Sequence, residues 1–583
     1  MQNMKSKTDQ MDKTDNGDNG DNRTISSDIL TENFATITKA NGGIKKLREL
    51  ILQLAVQGKL VPQNPDDEPA SVLLEKIKDE KQNLIKTGQI KKQKPLPPID
   101  EDEVPYDLPE GWIWTRLGTV TNYNGRKKIP PSDLKEDYWL LELEDIEKGS
   151  SKVIKRLCCG ERSPKSTKSS FKTGDVLYGK LRPYLDKVIV ADTDGYCTTE
   201  IVPIIQYYGI IPNYIRLFLK SPEFIKYVNS KTYGVKMPRL GTSDAINTFF
   251  PLPPLAEQHR IVERVDCLMK LCDDLESRQE SESENRRLLL LSVLKNLEDA
   301  GSEDEKQEAW EILSGRFDDL INSAEDVKEL RKTVLQLAVQ GRLVPQNPED
   351  EPASVLLEKI KDEKQNLIKT GWIKKQKALP PVDEDEIPYA LPEGWIWVKI
   401  PKITHNFGQK VPDKPFNYID VSSINKEKGK ISLDENIIQP KDAPSRARKI
   451  AKINSVIYST VRPYLLNIAI IDQIFEQEFI VSTAFAVLHP HKGISNRFLY
   501  YYLRSSTFIK YVESQMTGMA YPAISESKFN NGIIPLPPLA EQHRIVERVD
   551  CLMKLCDELE ERVVAQEESA ERLLSSVCAG ICG

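Results

Sequence analysis

The chain has 583 residues, 39% hydrophobic and 29% charged, with a net charge of −7 and an isoelectric point of about 5.7. Its length exceeds what one core accommodates and predicts roughly three to five domains. No run of about 18 apolar residues is present to span a membrane, nine cysteines without dense spacing fit free cytosolic thiols better than a disulfide framework, and the acidic average taken alone speaks against nucleic-acid binding.

Residues 1–40 begin MQNMKSKTDQMDKTDNGDNGDNR, with no apolar secretory segment. Their Asp/Asn/Gly bias predicts a disordered tail. A constant helical region (41–108) follows. It starts with a helix near Ile44–Gln57 that Gly58 is placed to cap. Next comes an amphipathic helix over Ser71–Lys86, with Val72, Leu73, Ile77 and Leu84 on one side, suited to packing on the body or on a partner. The segment 109–254 opens with PEGWIW and reads as an α+β globule. Short β-rich runs fall at Asp175–Tyr178, Lys187–Ala191 and Ile201–Ile205, and a helix is expected over Tyr214–Val228. The PLPP stretch ends this globule and lets a long helix start at Leu255.

From there the pattern begins again. Residues 335–377 repeat residues 52–94 with three changes in 43 positions (Lys59/Arg342, Asp66/Glu349, Gln89/Trp372), and residues 535–560 repeat 251–276 with one, Asp274/Glu558. The central constant region is thus 255–391, with helices near Val327–Gln340 and Ser354–Lys369. A second variable globule covers 392–538, with runs at Ser455–Tyr458, Ile468–Ile471 and Phe479–Ser482 and a helix over Arg497–Val512. A final constant helix fills 539–583. Divergence confined to the middle of each unit predicts pseudo-twofold symmetry and two non-identical readers on one chain, whose geometry would set half-site spacing.

The constant helices carry a 4-3-4-3 apolar spacing, Ile261, Val265, Leu268, Cys272, Leu275 in one and Ile545, Val549, Leu552, Cys556, Leu559 in the other, continuing through Val563, Gln566, Ala570, Leu573 and Val577. This seam predicts paired antiparallel helices of coiled-coil type between the two globules. The Cys267/Cys272 and Cys551/Cys556 pairs lack zinc-site spacing and are expected to be buried in apolar packing.

Charge separates along the same borders. Residues 110–250 hold 22 basic and 16 acidic residues and residues 393–534 hold 18 and 12, each net +6, leaving the rest net −19. Phosphate neutralisation favours the variable globules as the DNA-facing parts. Candidate contacts are basic and aromatic residues in their Gly/Pro-rich loops: Arg126, Lys127, Lys128, Lys180, Arg182, Tyr184, Lys236 and Arg239, then Lys410, Arg446, Arg448, Lys449, Arg462, Tyr464 and Tyr521. Arg182 and Arg462 stand at matched places in an RPYL element, which suggests a framework or phosphate role.

Signs of chemistry are missing. No GxxxxGK[ST] loop occurs, nor does the Asn/Asp-Pro-Pro-aromatic motif of amino-methyltransferases. Glu142, Glu144 and Asp145 read as a turn or surface feature, and His489 and His491 as solvated imidazoles.

PEGWIW, RPYL and PLPPLAEQHRIVERVD, each present unchanged in both units, give the chain over 41–583 a pattern that resembles the specificity subunits of type I restriction–modification systems. The resemblance implies a non-catalytic cytoplasmic subunit. Each variable globule would be a target recognition domain reading half of a bipartite asymmetric site in double-stranded DNA. The helices would dock two methyltransferase subunits and, through them, motor–nuclease subunits. S-adenosylmethionine, ATP and magnesium would belong to those partners, and this chain would hold no cofactor or metal. The competing readings are a stand-alone DNA-binding protein, an acidic helical scaffold, or an enzyme without a familiar motif.

Overall fold

A computed structural model describes residues 38, 40 and 42–582, apart from 235, 375–378, 427–428, 433–436 and 475. The tail expectation for residues 1–40 therefore lies almost wholly outside the described residues. The chain divides into two compact units, one of residues 1–281 with 567–583 and one of residues 282–566.

In the first unit two four-stranded sheets are built from the variable segment. One orders Thr121–Tyr123, Ile201–Gln206, Val176–Gly179 and Val188–Val190, all antiparallel. The other orders Lys128–Ile129, Lys168–Phe171, Gly195–Cys197 and Trp139–Leu141, with its last pair parallel. The second unit repeats the plan: Thr404–His405, Phe485–Pro490, Val456–Ser459 and Ile468–Ile470 in one sheet, Ile437–Ile438, Phe416–Ile419, Glu478–Ser482 and Ala447–Ala451 in the other. A two-stranded ribbon closes each globule, Ile113–Arg116 on Phe249–Leu252 and Ile396–Lys399 on Ile533–Leu536. PEGWIW thereby lies beside PLPP although some 140 residues separate them in sequence.

The single helices expected over Tyr214–Val228 and Arg497–Val512 are each two. Pro222 cannot donate a backbone bond and Ser221 caps the new start by accepting from Phe224 N, giving Pro212–Lys220 and Pro222–Lys231. Ser505 caps likewise, giving Asn496–Leu503 and Ser506–Gln515.

The duplicated block is a clasp on its own globule. In the first unit the helix Ala70–Lys86 buries Leu73 and Ile77 in the core that also holds Tyr207, Ile210 and Tyr214. Its first amide donates to Gly111 O at 2.9 Å. Gly58 sits at φ +71°, where an added Cβ would meet Pro109 Cγ at 2.5 Å, so the helix Gly43–Val56 can turn against PEGWIW only with glycine there.

The long helices run Leu255–Asp299 (45 residues) and Leu539–Cys582 (44 residues). Ile261 and Val265 join the first unit's core beside Ile44 and Ile51, with Leu268 and Leu275 half-buried against it. Ile545 and Val549 join Leu335, Ala338 and Trp395 in the second unit, whereas Leu552 is half-buried. The seam is thus used first against the short helices of its own unit. Further along, Cys556 and Leu559 share a cluster with Leu290, Val293, Leu294 and Leu297 of the other long helix and with Val327. Leu574, not Leu573, is buried near the C-terminus, packing with Leu50 and Val577, because a straight helix drifts off a strict seven-residue repeat. The cysteine expectation is half corrected. Cys272 and Cys556 are buried, but Cys267 and Cys551 are exposed, since five residues turn a helix by about 140° beyond a full turn and set the two thiols on different faces.

Candidate nucleic-acid interface

The strand Val176–Gly179 delivers the RPYL element as a tight loop at its end. Arg182 and Asp186 both occupy the left-handed region (φ 50° and 52°), and Arg462 and Leu466 repeat this (47° and 53°). Non-glycine residues reach that region only when their surroundings hold them there. The holding element is a small hairpin. Tyr233 and Arg239 exchange backbone bonds of 3.2 and 3.0 Å, and Thr517 and Ala523 do so at 3.0 and 2.9 Å. Arg182 N donates to Pro238 O at 2.7 Å and Leu240 N to Lys180 O at 3.1 Å; Arg462 N and Ile524 N do the same to Pro522 O and Thr460 O at 2.8 and 2.9 Å. Gly234 and Gly518 form the bends at φ 95° and 100°, where a side chain would crowd a carbonyl oxygen 3.1 Å away. Loop and hairpin are one rigid edge in each unit.

Lys180, Arg182, Tyr184, Lys236 and Arg239 all lie on this edge in the first unit. Arg182, Tyr184 and Lys236 are exposed, while Arg239 is tied to Glu200 at 3.1 Å, which raises its pKa. Lys128 reaches Ser169 Oγ at 2.7 Å. Burial lowers its pKa, and the like charge of Lys180 adds to that. Lys127, just before the strand Lys128–Ile129, is exposed. Arg126 points elsewhere: its fork is taken up by the buried Asp175 at 2.7 and 2.6 Å, at the opposite end of the Val176–Gly179 strand.

In the second unit Arg462, Tyr464 and Tyr521 share the edge, with the Arg462 guanidinium 4.8 Å from the Tyr521 ring centre. Arg446 is exposed next to it, its carbonyl accepting from Thr483 N. Lys449 is buried and donates to Phe485 O and Glu526. Arg448 turns back on Ala447 O at 2.7 Å, and Lys410 is held by Asp413 and Glu478 at the other end of the Glu478–Ser482 strand. The sequence reading missed Tyr233, Met237 and Met519, all exposed on the hairpins. The glycine and proline flanking each tip were the available signal.

Two expectations away from the edge are corrected. Asp145 closes a short 3-10 turn, buried and ion-paired with Arg162, so within the acidic cluster it is an internal tie while Glu144 stays exposed. His489 and His491 are not solvated. His489 lies in the strand Phe485–Pro490 and His491 just after it; both pack against His405, with ring centres 5.0 and 4.9 Å away, and His491 is buried. Burial, then the neighbouring His405, lowers their pKa values to about 4 and about 3. Among the described residues no group of His, Cys, Asp or Glu is arranged to hold a metal ion, and no helix is long and apolar enough to cross a membrane.

A family model described as the type I restriction modification DNA specificity domain matches residues 109–285 and 398–567. The chain is 37% identical to the type I restriction enzyme EcoAI specificity subunit of Escherichia coli, covering 89% of this chain and 90% of that one. It is 34% identical to the EcoEI specificity subunit of the same organism, covering 92% and 93%. Among solved structures, the HsdS subunit from Thermoanaerobacter tengcongensis aligns at 19% identity and a TM-score of 0.40 over 82% of this chain and 98% of that one.

Proposed function

The chain belongs to the type I restriction–modification DNA specificity family, and from that premise we propose that its two globules read the two halves of one bipartite, asymmetric site in double-stranded DNA. The carrying observation is the RPYL–hairpin edge, built twice with the same backbone bonds and presented with different side chains. Identical frames hold the edges, and differing loops give them different base preferences. Arg182, Lys180 and Lys236 serve the first half-site, and Arg462, Arg446 and Tyr521 the second. Arg can pair bidentately with guanine while Lys chiefly neutralises phosphate. Arg126, Lys410 and Lys449 act inside the fold.

The long helices dock methyltransferase subunits, which recruit motor–nuclease subunits. S-adenosylmethionine, ATP and magnesium are handled by those partners, and this chain contributes sequence choice without catalysis. The test is genome-wide mapping of methylated adenine in a host carrying the chain and the methyltransferase encoded beside it, with residues 110–250 exchanged for those of a relative. Methylation of a split motif in which only one half changes supports the reading. Methylation that ignores the chain ends it.

A further inference from the structure

Each hairpin carries apolar bulk where the fold has no use for it. Met519 is 101% exposed and Tyr521 71%, and Met237 holds the same edge in the first unit at 51%. Side chains this bare add nothing to the core, yet the backbone beneath them is fixed from three sides. A left-handed glycine makes the bend, a proline fixes the exit, and the RPYL loop donates into the hairpin. Cations flank both tips: Lys236, Arg182 and Lys180 in one unit, Arg462 and Arg446 in the other. A rigid, apolar, cation-flanked point suits an anionic partner with a hydrophobic interior. A base stack beneath a phosphate backbone is such a partner, and inserted Met or Leu wedges open base steps in other DNA-binding proteins.

We propose that the hairpins are wedges that insert Met237 at one half-site and Met519 at the other between adjacent base pairs of the target duplex. The proposal rests on the DNA-reading function above and adds a mechanism to it. Unstacking takes energy that depends on the step being opened, being least at flexible pyrimidine–purine steps. The wedge therefore selects sequence at a position where no hydrogen bond is made.

The experiment uses the full-length chain and duplexes enriched from a random pool by binding to it. 2-Aminopurine, which brightens when unstacked, is moved step by step through an enriched duplex. The expected result is a several-fold fluorescence rise at one step in each half. Met519→Ala abolishes one rise, Met237→Ala abolishes the other, and Met519→Leu keeps it. Specific affinity falls roughly tenfold in each alanine variant. Low-salt binding to unselected DNA is unchanged, because the phosphate contacts remain. An enriched duplex that shows no rise, or a rise that survives both alanine variants, overturns the wedge and leaves the reading function standing. Failure of the pool to enrich any sequence overturns the reading function and the wedge with it.

Discussion

In the first unit Glu257 accepts hydrogen bonds from Trp112 Nε1 at 2.9 Å and Gln63 Nε2 at 3.0 Å. In the second, Glu541 accepts from Trp395 and Gln346 at 2.8 and 2.7 Å. Arg260 reaches Asp67 and Arg544 reaches Asp350, both at 2.6 Å. Glu80 takes the amide of Tyr208, and Glu363 that of Lys492. Beneath the shared frame and backbone plan, the interior side chains differ. The first globule has the Arg126–Asp175 fork and a Lys220–Asp186 pair; the second has three packed imidazoles, with Lys452 set between the Trp372 and Phe407 rings at 4.8 and 4.3 Å. The frame is a fixed socket, and the interior of each globule is free to change provided its ribbon and its clasp fit that socket.

The comparison breaks first at the socket. Trp112→Ala should cost the first unit about 3–5 kcal/mol, because it empties a buried ring site and strips a hydrogen bond from Glu257, whose carboxyl burial already pushes up in pKa. Trp395→Ala should cost the second unit the same, read as matched losses in chemical denaturation followed by proteolysis of each unit. Unequal losses would mean that the frames are alike in geometry but not in energetic weight. Next in size is Arg126→Ala, which leaves the buried Asp175 carboxylate without its fork and should cost about 3 kcal/mol. It should leave DNA affinity in the remaining folded fraction unchanged. A loss of affinity without loss of stability would return Arg126 to the interface.

Much of this frame was legible in the sequence. Near-identical blocks at offsets of 283 and 284 residues mark it, and the β-rich runs fall within a residue or two of the strands, because alternation and turn residues act locally. What the sequence withheld depends on long-range packing. Nothing in a His-Pro-His stretch announces that His405, 84 residues earlier, will lie opposite His489 in the strand register. Likewise Arg126 and Lys128 look alike in an RKK run, and only the sheet decides that one turns to Asp175 and the other to Ser169. The hairpin methionines were overlooked for the opposite reason: a search for charge passes over methionine.

The imidazole cluster sharpens the comparison by pH. His489 and His491 are held near pKa 4 and 3 in the folded second unit against about 6.5 when unfolded. Both states are neutral above pH 6.5. Below it the unfolded chain takes up protons that the cluster refuses, so stability falls progressively from about pH 6.5 toward pH 4. Glu363, 3.3 Å from His491, favours a proton on His489 while Lys452 opposes it there, and Lys364 opposes one on His491; burial outweighs these and the net direction is down for both. In the first unit the shift runs the other way. Burial lifts Asp186 to about 6 despite Lys220, so its contribution is lost as pH rises through 6 and recovered on acidification. Thermal melts at pH 7 and pH 4.5 should therefore show the second unit losing more. His491→Gln should narrow that loss without touching the first unit, whereas an unchanged pH dependence would remove the cluster from the account.

The smallest expected effect falls on the edge itself, at the one arginine the two domains share. Arg182→Ala removes an exposed guanidinium and Arg462→Ala a half-buried one, each from a loop whose shape is set by backbone bonds, so the effect on folding should be small. If both side chains neutralise phosphate, each variant should weaken binding evenly across sequences and reduce the steepness of the salt dependence by about 1. Arg462 differs from Arg182 in lying over the Tyr521 ring, which fixes its plane. A fixed guanidinium plane is what bidentate base pairing needs and what phosphate contact does not. The two variants should therefore separate in the methylation map: Arg182→Ala dims both halves of the motif alike, and Arg462→Ala also relaxes one base in the second half. Identical maps would mean that the Tyr521 contact only holds the loop, leaving both arginines as phosphate clamps.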